Sequence, residues 1–132
     1  MRFVDGWGDR SLHRQYDGQM SESELLASHL QMLDLVGKAE IDVCLVDFRS
    51  ARFAPEIDVV TMRVLAVLEQ PLRKALTKPL IAVVSDTAHE TDLLEAYAAQ
   101  GQGRDYVKVC RSLGAAKIWL SKRLPMFKGG ID

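Results

Sequence analysis

The clearest strand signal in the sequence lies at residues 41–48, which read IDVCLVDF. After Asp42 it contains no charged residue until Asp47, and β-branched side chains are frequent in it. Runs of this kind are typical of an internal parallel strand that helices cover on both faces. Residues 79–85 (PLIAVVS) and 106–110 (YVKVC) are two further strand-like runs. The sequence therefore predicts three strands of a covered sheet.

Helical periodicity precedes the first of these strands. Ser21 and Glu24 match a capping box, in which the Ser21 hydroxyl accepts from the Glu24 backbone N–H while the Glu24 carboxylate accepts from the Ser21 N–H. Apolar residues then recur at spacings of three and four until Gly37, which is typical of an amphipathic helix. The predicted buried face consists of Leu25, Leu26, His29, Leu30, Met32, Leu33 and Val36. We interpret the histidine on this face as a packed residue rather than as a catalytic base.

Three more helices are predicted. Pro55 suits the first turn of the second helix, and Pro71 is expected to end or kink it. Thr87 and Glu90 form a second capping-box match, and Ser112 is placed to cap the last helix. The buried face predicted for the second helix consists of Ile57, Val60, Val64, Leu65 and Leu68.

The amino-terminal residues predict a β-hairpin. Residues 3–5 form a short strand candidate, residues 5–9 (DGWGD) are rich in turn formers, and residues 12–16 alternate weakly. Because neighbouring parallel strands need a crossover helix, the order β, β, α, β, α, β, α, β, α predicts an α/β fold: a mostly parallel five-stranded sheet with an N-terminal hairpin and four helices. At 132 residues the chain suits a single domain, 1–132, with a loosely held tail at residues 125–132.

Composition narrows the function classes. With 17 basic and 18 acidic residues, no basic excess points to nucleic acid, and no apolar run is long enough to predict membrane insertion. Cys44 and Cys110 lie in separate apolar runs, without a CxxC or a neighbouring histidine cluster, so we interpret them as buried structural thiols. We expect a cytoplasmic protein that uses no metal and no cofactor.

Polar side chains follow three of the predicted strands, and in an open α/β sheet function gathers at the carboxyl ends of the strands. These side chains are Asp47, Arg49 and Ser50 after one strand, Ser85, Asp86 and Thr87 after the next, and Arg111 and Ser112 after the last. Such a rim suits a small anion or a loop of a protein partner. The alternative is that these residues cap helices and satisfy turns, as their types often do.

A receiver domain, which is phosphorylated on an aspartate, is one alternative function. Asp47, Ser85 and Lys108 match the acidic, hydroxyl and lysine positions that hold the phosphoryl group and Mg²⁺ in such a domain. Two requirements are missing from the sequence. Asp5 stands alone where a second carboxylate is needed, and Lys108 lies inside its predicted strand rather than at the end of it.

Three segments carry a resemblance to a known family: LVDFRSARF, PLIAVVSD and YVKVCRSLGAAKIWL. Together they resemble the SpoIIAA-like, STAS/SEC14-domain group of small bacterial proteins, from about Tyr16 to Leu120. The matching positions are Asp47, Arg49, Ala51, the strand at residues 80–84, Ala116, Trp119 and Leu120. The resemblance implies a SpoIIAA/STAS-like fold.

The resemblance also implies a function by binding, without catalysis. STAS relatives include anti-sigma-factor antagonists that a kinase switches by phosphorylating a serine at the start of a helix. The matching neighbourhood here is Pro55, Glu56 and Ile57, which offers no hydroxyl, while Glu56 already places a negative charge there. The expected partner is therefore a protein or a second copy of the chain, bound through the strand-end rim and the adjacent helix. A SEC14-like carrier of a small molecule or lipid is the second alternative.

Overall fold

The computed structural model describes residues 1–75, 80–100 and 106–123, so the predicted tail at 125–132 lies outside the described residues. The strands are β1 (Arg2–Gly8), β2 (Ser11–Met20), β3 (Val43–Phe53), β4 (Leu80–Val84) and β5 (Val107–Cys110). The helices are α1 (Glu22–Lys38), α2 (Val59–Ala75), α3 (Ala88–Ala98) and α4 (Leu113–Arg123). This is the element order that the sequence predicts.

The five strands form one sheet in the order β1-β2-β3-β4-β5. β1 and β2 are antiparallel, and every later pair is parallel. Each parallel strand therefore lies beside the strand that precedes it in the chain, with one helix in each crossover. The predicted mostly parallel sheet with an N-terminal hairpin and four helices is confirmed.

Alternation along the strands gives the sheet two apolar faces. In β3, Cys44 and Val46 join the larger core cluster, which also holds side chains of α1, α2 and α3. Val43 and Leu45 join a smaller cluster with Ala116 and Leu120 of α4. Three helices thus cover one face and α4 packs on the other, which explains why the central strands are apolar on both sides.

The two cysteines are buried thiols, as predicted. Cys44 belongs to the larger cluster and Cys110 to the smaller one, so the sheet separates the two thiols. Burial raises the pKa of the Cys110 thiol. Among the described residues, no helix combines the length and the apolar character needed to cross a membrane.

The N-terminal hairpin is longer than predicted. Its two strands pair from Arg2 with Asp17 to Gly8 with Ser11, so residues 5–8 belong to β1 and the turn is formed by residues 9 and 10. The prediction of a turn at residues 5–9 was wrong because glycine is common in turns but also tolerated in an edge strand.

β3 also extends five residues past its predicted end and contains a β-bulge. Gln15 of β2 pairs with Asp47, but Asp17 pairs with Ser50, so β3 holds one additional residue between the two pairs. Because a bulge shifts the alternation by one, Phe48, Ala51 and Phe53 all face the larger core. Residues 47–50 therefore lie within a strand and not after it.

Two of the predicted helix caps form as expected. Ser21 and Glu24 make the reciprocal capping box of α1, and Ser112 Oγ accepts from the backbone N–H of Ala115 at 3.1 Å in α4. The capping box predicted at the start of α3 does not form. Thr87 makes no side-chain cap and donates its hydroxyl to the carboxylate of Glu90 instead.

The second helix departs most from its prediction. α2 begins at Val59, four residues after Pro55, and it continues past Pro71 to Ala75. Between residues 59 and 70, the side chains that it buries are Met62, Leu65, Ala66 and Glu69. Of the predicted buried face, Ile57 and Leu65 are buried as expected, whereas Val60, Val64 and Leu68 are exposed.

A polar cluster joins three helices and explains this difference. Glu69 of α2 is buried because its carboxylate accepts the Tyr97 hydroxyl of α3 at 2.9 Å and contacts Nε2 of His29 in α1. The rings of His29 and Tyr97 also meet edge to face at a centroid distance of 5.4 Å. A buried carboxylate is tolerated when such partners replace water. With these contacts Glu69 faces inward, and the apolar side chains on the opposite side of α2 face outward.

Candidate functional site

Asp47 and Arg49 form a close ion pair beside the last residue of β4. The Arg49 guanidinium donates through Nη2 to Asp47 Oδ2 at 2.8 Å and through Nε to Oδ1 at 3.0 Å, and the Arg49 backbone N–H donates to Oδ1 at 2.9 Å. β3 continues beyond the end of β4 here, since the last residue pair between the two strands is Asp47 with Val84. The side chain and the backbone N–H of Arg49 thus donate to the same carboxylate, at the predicted rim.

Burial and hydrogen bonding act against each other on Asp47. Burial works to raise the pKa of its carboxyl, but the side-chain and backbone hydrogen bonds from Arg49 outweigh it, and the pKa lies below the ordinary value. The aspartate side chain is 7% exposed and that of Arg49 is 38% exposed. Asp47 is therefore an ionised anchor whose oxygens are committed to a partner within the strand.

A cleft of about 470 Å³ opens next to this pair. Its lining residues are Arg2, Phe3, Val4, Gln15, Tyr16, Asp17, Asp47, Arg49 and Ser50. Arg2 donates to Asp17 at 3.1 Å, so this arginine, like Arg49, is paired with an aspartate. The cleft holds two cations and two anions that neutralise each other, an arrangement that gives an anion little electrostatic attraction.

The other predicted rim residues take separate roles. Asp86 is exposed and close enough to raise the pKa of the Arg49 guanidinium, after the larger effect of Asp47. Ser85 is buried, and its hydroxyl finds no hydrogen-bond partner among the described residues. Thr87 is committed to Glu90. The structure therefore gathers Asp47, Arg49 and Asp86 at one edge but leaves Ser85 inaccessible to a macromolecule.

Glu90 is a structural residue that the sequence did not single out beyond the capping match. Its carboxylate accepts the backbone N–H of Phe53 at 3.2 Å as well as the Thr87 hydroxyl. Burial works to raise the pKa of Glu90, but these hydrogen bonds lower it below the ordinary value. Glu90 thus connects the end of β3 to the start of α3. In the sequence, the only sign of this role is that Glu90 is an acidic residue in the first turn of a predicted helix.

Glu56 lies away from the strand-end rim, in a groove between the starts of α1 and α2. We call this the α1/α2 groove; it has a volume of about 360 Å³. Its lining residues are Glu22, Leu25, Leu26, Glu56, Asp58, Val60, Thr61, Val64 and Leu65. The groove therefore combines an apolar floor with three carboxylates.

Hydrogen bonds fix two of these carboxylates. Asp58 caps α2, since its Oδ1 accepts the backbone N–H of Thr61 at 3.0 Å, and this bond lowers the pKa of the Asp58 carboxyl. The Thr61 hydroxyl lies 3.2 Å from both Asp58 Oδ1 and Glu22 Oε2 and can donate to either. A single threonine thereby links the first turn of α1 to the first turn of α2.

The outward side of α2 carries four apolar residues that we call the α2 stripe. Val60, Val64, Val67 and Leu68 are 63%, 49%, 61% and 48% exposed. Their spacing of i, i+4, i+7 and i+8 puts them on one side of the helix. Two of them, Val60 and Val64, also line the α1/α2 groove, so the stripe and the groove form one surface. This surface was not predicted, because apolar periodicity assigned Val60, Val64 and Leu68 to the core.

Among the described residues, no three His, Cys, Asp or Glu side chains lie close enough to hold a metal ion. A small cavity beside His29 and Tyr97, between the helices and the sheet, has room for about one water molecule. Two accessible features of the described surface are the charge-balanced cleft and the surface made by the groove and the stripe.

No protein-family model matches the sequence, and no curated protein matches it. Among solved structures, the chain is similar to the anti-sigma factor antagonist SpoIIAA in its unphosphorylated form. The two structures have a TM-score of 0.59 at 8% sequence identity, and the likeness covers 96% of this chain and 100% of that one. At this identity the likeness establishes the fold, and the chain therefore has the SpoIIAA-like fold that its sequence resemblance predicts.

Proposed function

We propose that the chain is a regulatory, non-enzymatic domain that acts by binding a protein partner through the α2 stripe. The observation that carries this proposal is the exposure of four large apolar side chains on one side of a single helix. Contiguous exposed apolar surface of this kind marks interaction sites in soluble proteins. The fold supports the proposal, since the similar structure belongs to an anti-sigma factor antagonist.

The energetics favour a partner over exposure to water. The stripe runs from Val60 to Leu68, a rise of about 12 Å along the helix. Burying apolar surface contributes about 25 cal/mol per Å², so covering four such side chains supplies a substantial share of a stable interface. The buried cluster of Glu69, His29 and Tyr97 holds the stripe outward. This surface takes the place of the strand-end rim as the centre of the proposed interface.

Site-specific photo-cross-linking tests the proposal. A benzophenone amino acid at Val64 or Val67, introduced in the host cell, should give an adduct with one other protein of defined mass. The matched control is the same amino acid at Ile118, which is 58% exposed on α4, and it should not give that adduct. Adducts only within the chain, for example to residues 124–132, or equal adducts from all three positions, would contradict the proposal.

The two alternative functions, a receiver-like domain and a small-molecule carrier, predict different experimental results. A receiver-like domain would be labelled by a small phosphodonor with Mg²⁺, and the label would be lost in Asp47→Asn. A carrier would retain a small molecule that native mass spectrometry detects over several preparations. The commitment of both Asp47 oxygens to Arg49 argues against the first alternative, and the single-water size of the inner cavity argues against the second.

Self-association is a further expectation. β1 is the outermost strand on its side of the described sheet, and Phe3, Val4 and Trp7 are exposed along it. An open edge strand with apolar side chains invites pairing with a second copy. Light scattering at high micromolar concentration should therefore detect a dimer, and a strict monomer under those conditions would reject the expectation.

A further inference from the structure

The α1/α2 groove and the α2 stripe have different polarities although they share Val60 and Val64. The stripe is apolar, and a partner of any charge could cover it. The groove beside it has an apolar floor that includes Leu25, Leu26 and Leu65, but its rim is acidic. A partner that covers the stripe and continues into the groove must therefore offer an apolar surface to the stripe and compensate the acidic rim of the groove.

The charges of the groove are all of one sign. Glu22, Glu56 and Asp58 are exposed, and none of the nine described residues that line the groove is basic. An uncharged segment laid on this surface would remove water from the carboxylates without replacing it, and an acidic segment would add like-charge repulsion. A segment with Lys or Arg at the same place would compensate these carboxylates and gain directional hydrogen bonds. Charge complementarity therefore selects a basic occupant.

The shape of the surface selects the conformation of the occupant. The floor lies between two helices, and the stripe repeats at helical spacing along one of them. A third helix packs against such a pair by inserting its ridges into the grooves between their side chains. Helices that bind in this way present apolar residues at i, i+3 or i+4, and i+7, with polar residues on either side.

From these observations we infer that the α1/α2 groove and the α2 stripe receive an amphipathic helix of a protein partner, whose polar positions over the groove carry Lys or Arg. The inference rests on the proposed function, because it names the chemistry of the partner that the stripe binds. Beyond that function, it specifies that the partner's charge over the groove is positive.

Three synthetic peptides of 18 residues test the claim. They share the same leucine positions on one helical face and carry Lys, Gln or Glu at every polar position. Fluorescence anisotropy with the full chain should place their affinities in the order Lys, Gln, Glu, with the Lys peptide binding at least tenfold more tightly than the Glu peptide at low salt. The difference should narrow at 0.5 M salt, because the carboxylates are exposed and screened.

Matched variants locate the effect in the groove. The double variant Glu22→Gln with Glu56→Gln should weaken the Lys peptide about tenfold and leave the Gln peptide within twofold. The control is Asp92→Asn with Glu95→Gln, which removes the same number of charges from exposed positions of α3. The control should change the affinity for the Lys peptide by less than twofold.

Several outcomes would overturn the inference. These are equal affinities for the three peptides, equal losses in the groove and control variants, and no binding of the Lys peptide at all. Val67→Asp separates this failure from a failure of the proposed function, since Val67 belongs to the stripe but not to the groove lining. If the Gln peptide binds and Val67→Asp abolishes that binding while charge has no effect, the stripe remains the interface and only the basic partner is rejected.

Discussion

The cleft beside Asp47 and the α1/α2 groove are both depressions with charged side chains, but the charges are paired in the cleft and are all negative in the groove. In the cleft each aspartate is paired with an arginine, at 2.8 Å for Asp47 with Arg49 and at 3.1 Å for Asp17 with Arg2. In the groove three carboxylates line one depression without a basic residue among the described lining. The buried Asp47 carboxylate is thus compensated within the chain, whereas the groove leaves exposed carboxylates of one sign beside an apolar surface.

The largest effect should come from breaking the pair in the cleft at Arg49. Arg49→Met keeps the volume of the side chain but leaves the buried Asp47 carboxylate without its guanidinium. Because a buried charge without a partner is costly, we expect the free energy of unfolding to fall by about 2 to 3 kcal/mol at neutral pH, measured by chemical denaturation.

The matched control for this variant is Arg111→Met, which makes the same chemical change at an exposed position. It should change the free energy of unfolding by less than about 0.5 kcal/mol. Similar losses in the two variants would show that the pair does not distinguish the cleft from the rest of the surface.

The pH dependence of the Arg49→Met penalty should be the next largest effect. Arg49 lowers the pKa of the folded Asp47 carboxyl, so the pair stabilises the wild type fully above the unfolded value of about 3.9, and the stabilisation is lost as the pH falls through the folded pKa. The variant instead has a buried carboxylate that protonates readily. The penalty should therefore shrink by more than half between pH 7 and about pH 3. A penalty that does not change with pH would show that Arg49→Met destabilises the fold through lost side-chain packing rather than through the charge of Asp47.

A smaller effect is expected when the other partner is changed. Asp47→Asn removes the negative charge but keeps a side-chain oxygen that can accept from Arg49. Arg49 is partly exposed, so water can solvate its guanidinium after the change. The free energy of unfolding should fall by about 1 kcal/mol, less than in Arg49→Met. A larger loss in Asp47→Asn than in Arg49→Met would reverse the assignment of which charge is the buried one.

The fold could be predicted from sequence because its signals are local. The strand β4 is a continuous apolar run, and the capping box of Ser21 and Glu24 marks the start of α1 directly. The order of strands and helices then restricts the sheet to very few topologies, since crossovers are right-handed. The resemblance at Asp47, Arg49 and Ala51 pointed to the same fold, and the similar solved structure agrees with it.

The binding surface could not be predicted in the same way because it depends on a choice between two apolar faces of α2. Apolar residues lie on both sides of this helix, and the inward side contains Glu69, which a periodicity argument assigns to solvent. Only the contacts of Glu69 with His29 and Tyr97, which are 40 and 28 residues away in sequence, reveal that the helix turns this carboxylate inward. The bulge in β3 is equally invisible in sequence, because it is a property of strand pairing.

The smallest effect on stability should come from the exposed carboxylates of the groove. Glu22→Gln and Glu56→Gln change exposed side chains, and glutamine keeps an oxygen that can accept from Thr61 in place of Glu22. We expect each variant to leave the free energy of unfolding within about 0.5 kcal/mol of the wild type, as measured by the same denaturation experiment. A loss above 1 kcal/mol would show that these carboxylates serve the fold as those of the cleft do. If stability is unchanged while the Lys peptide binds more weakly, the acidic rim has a role that only a partner explains.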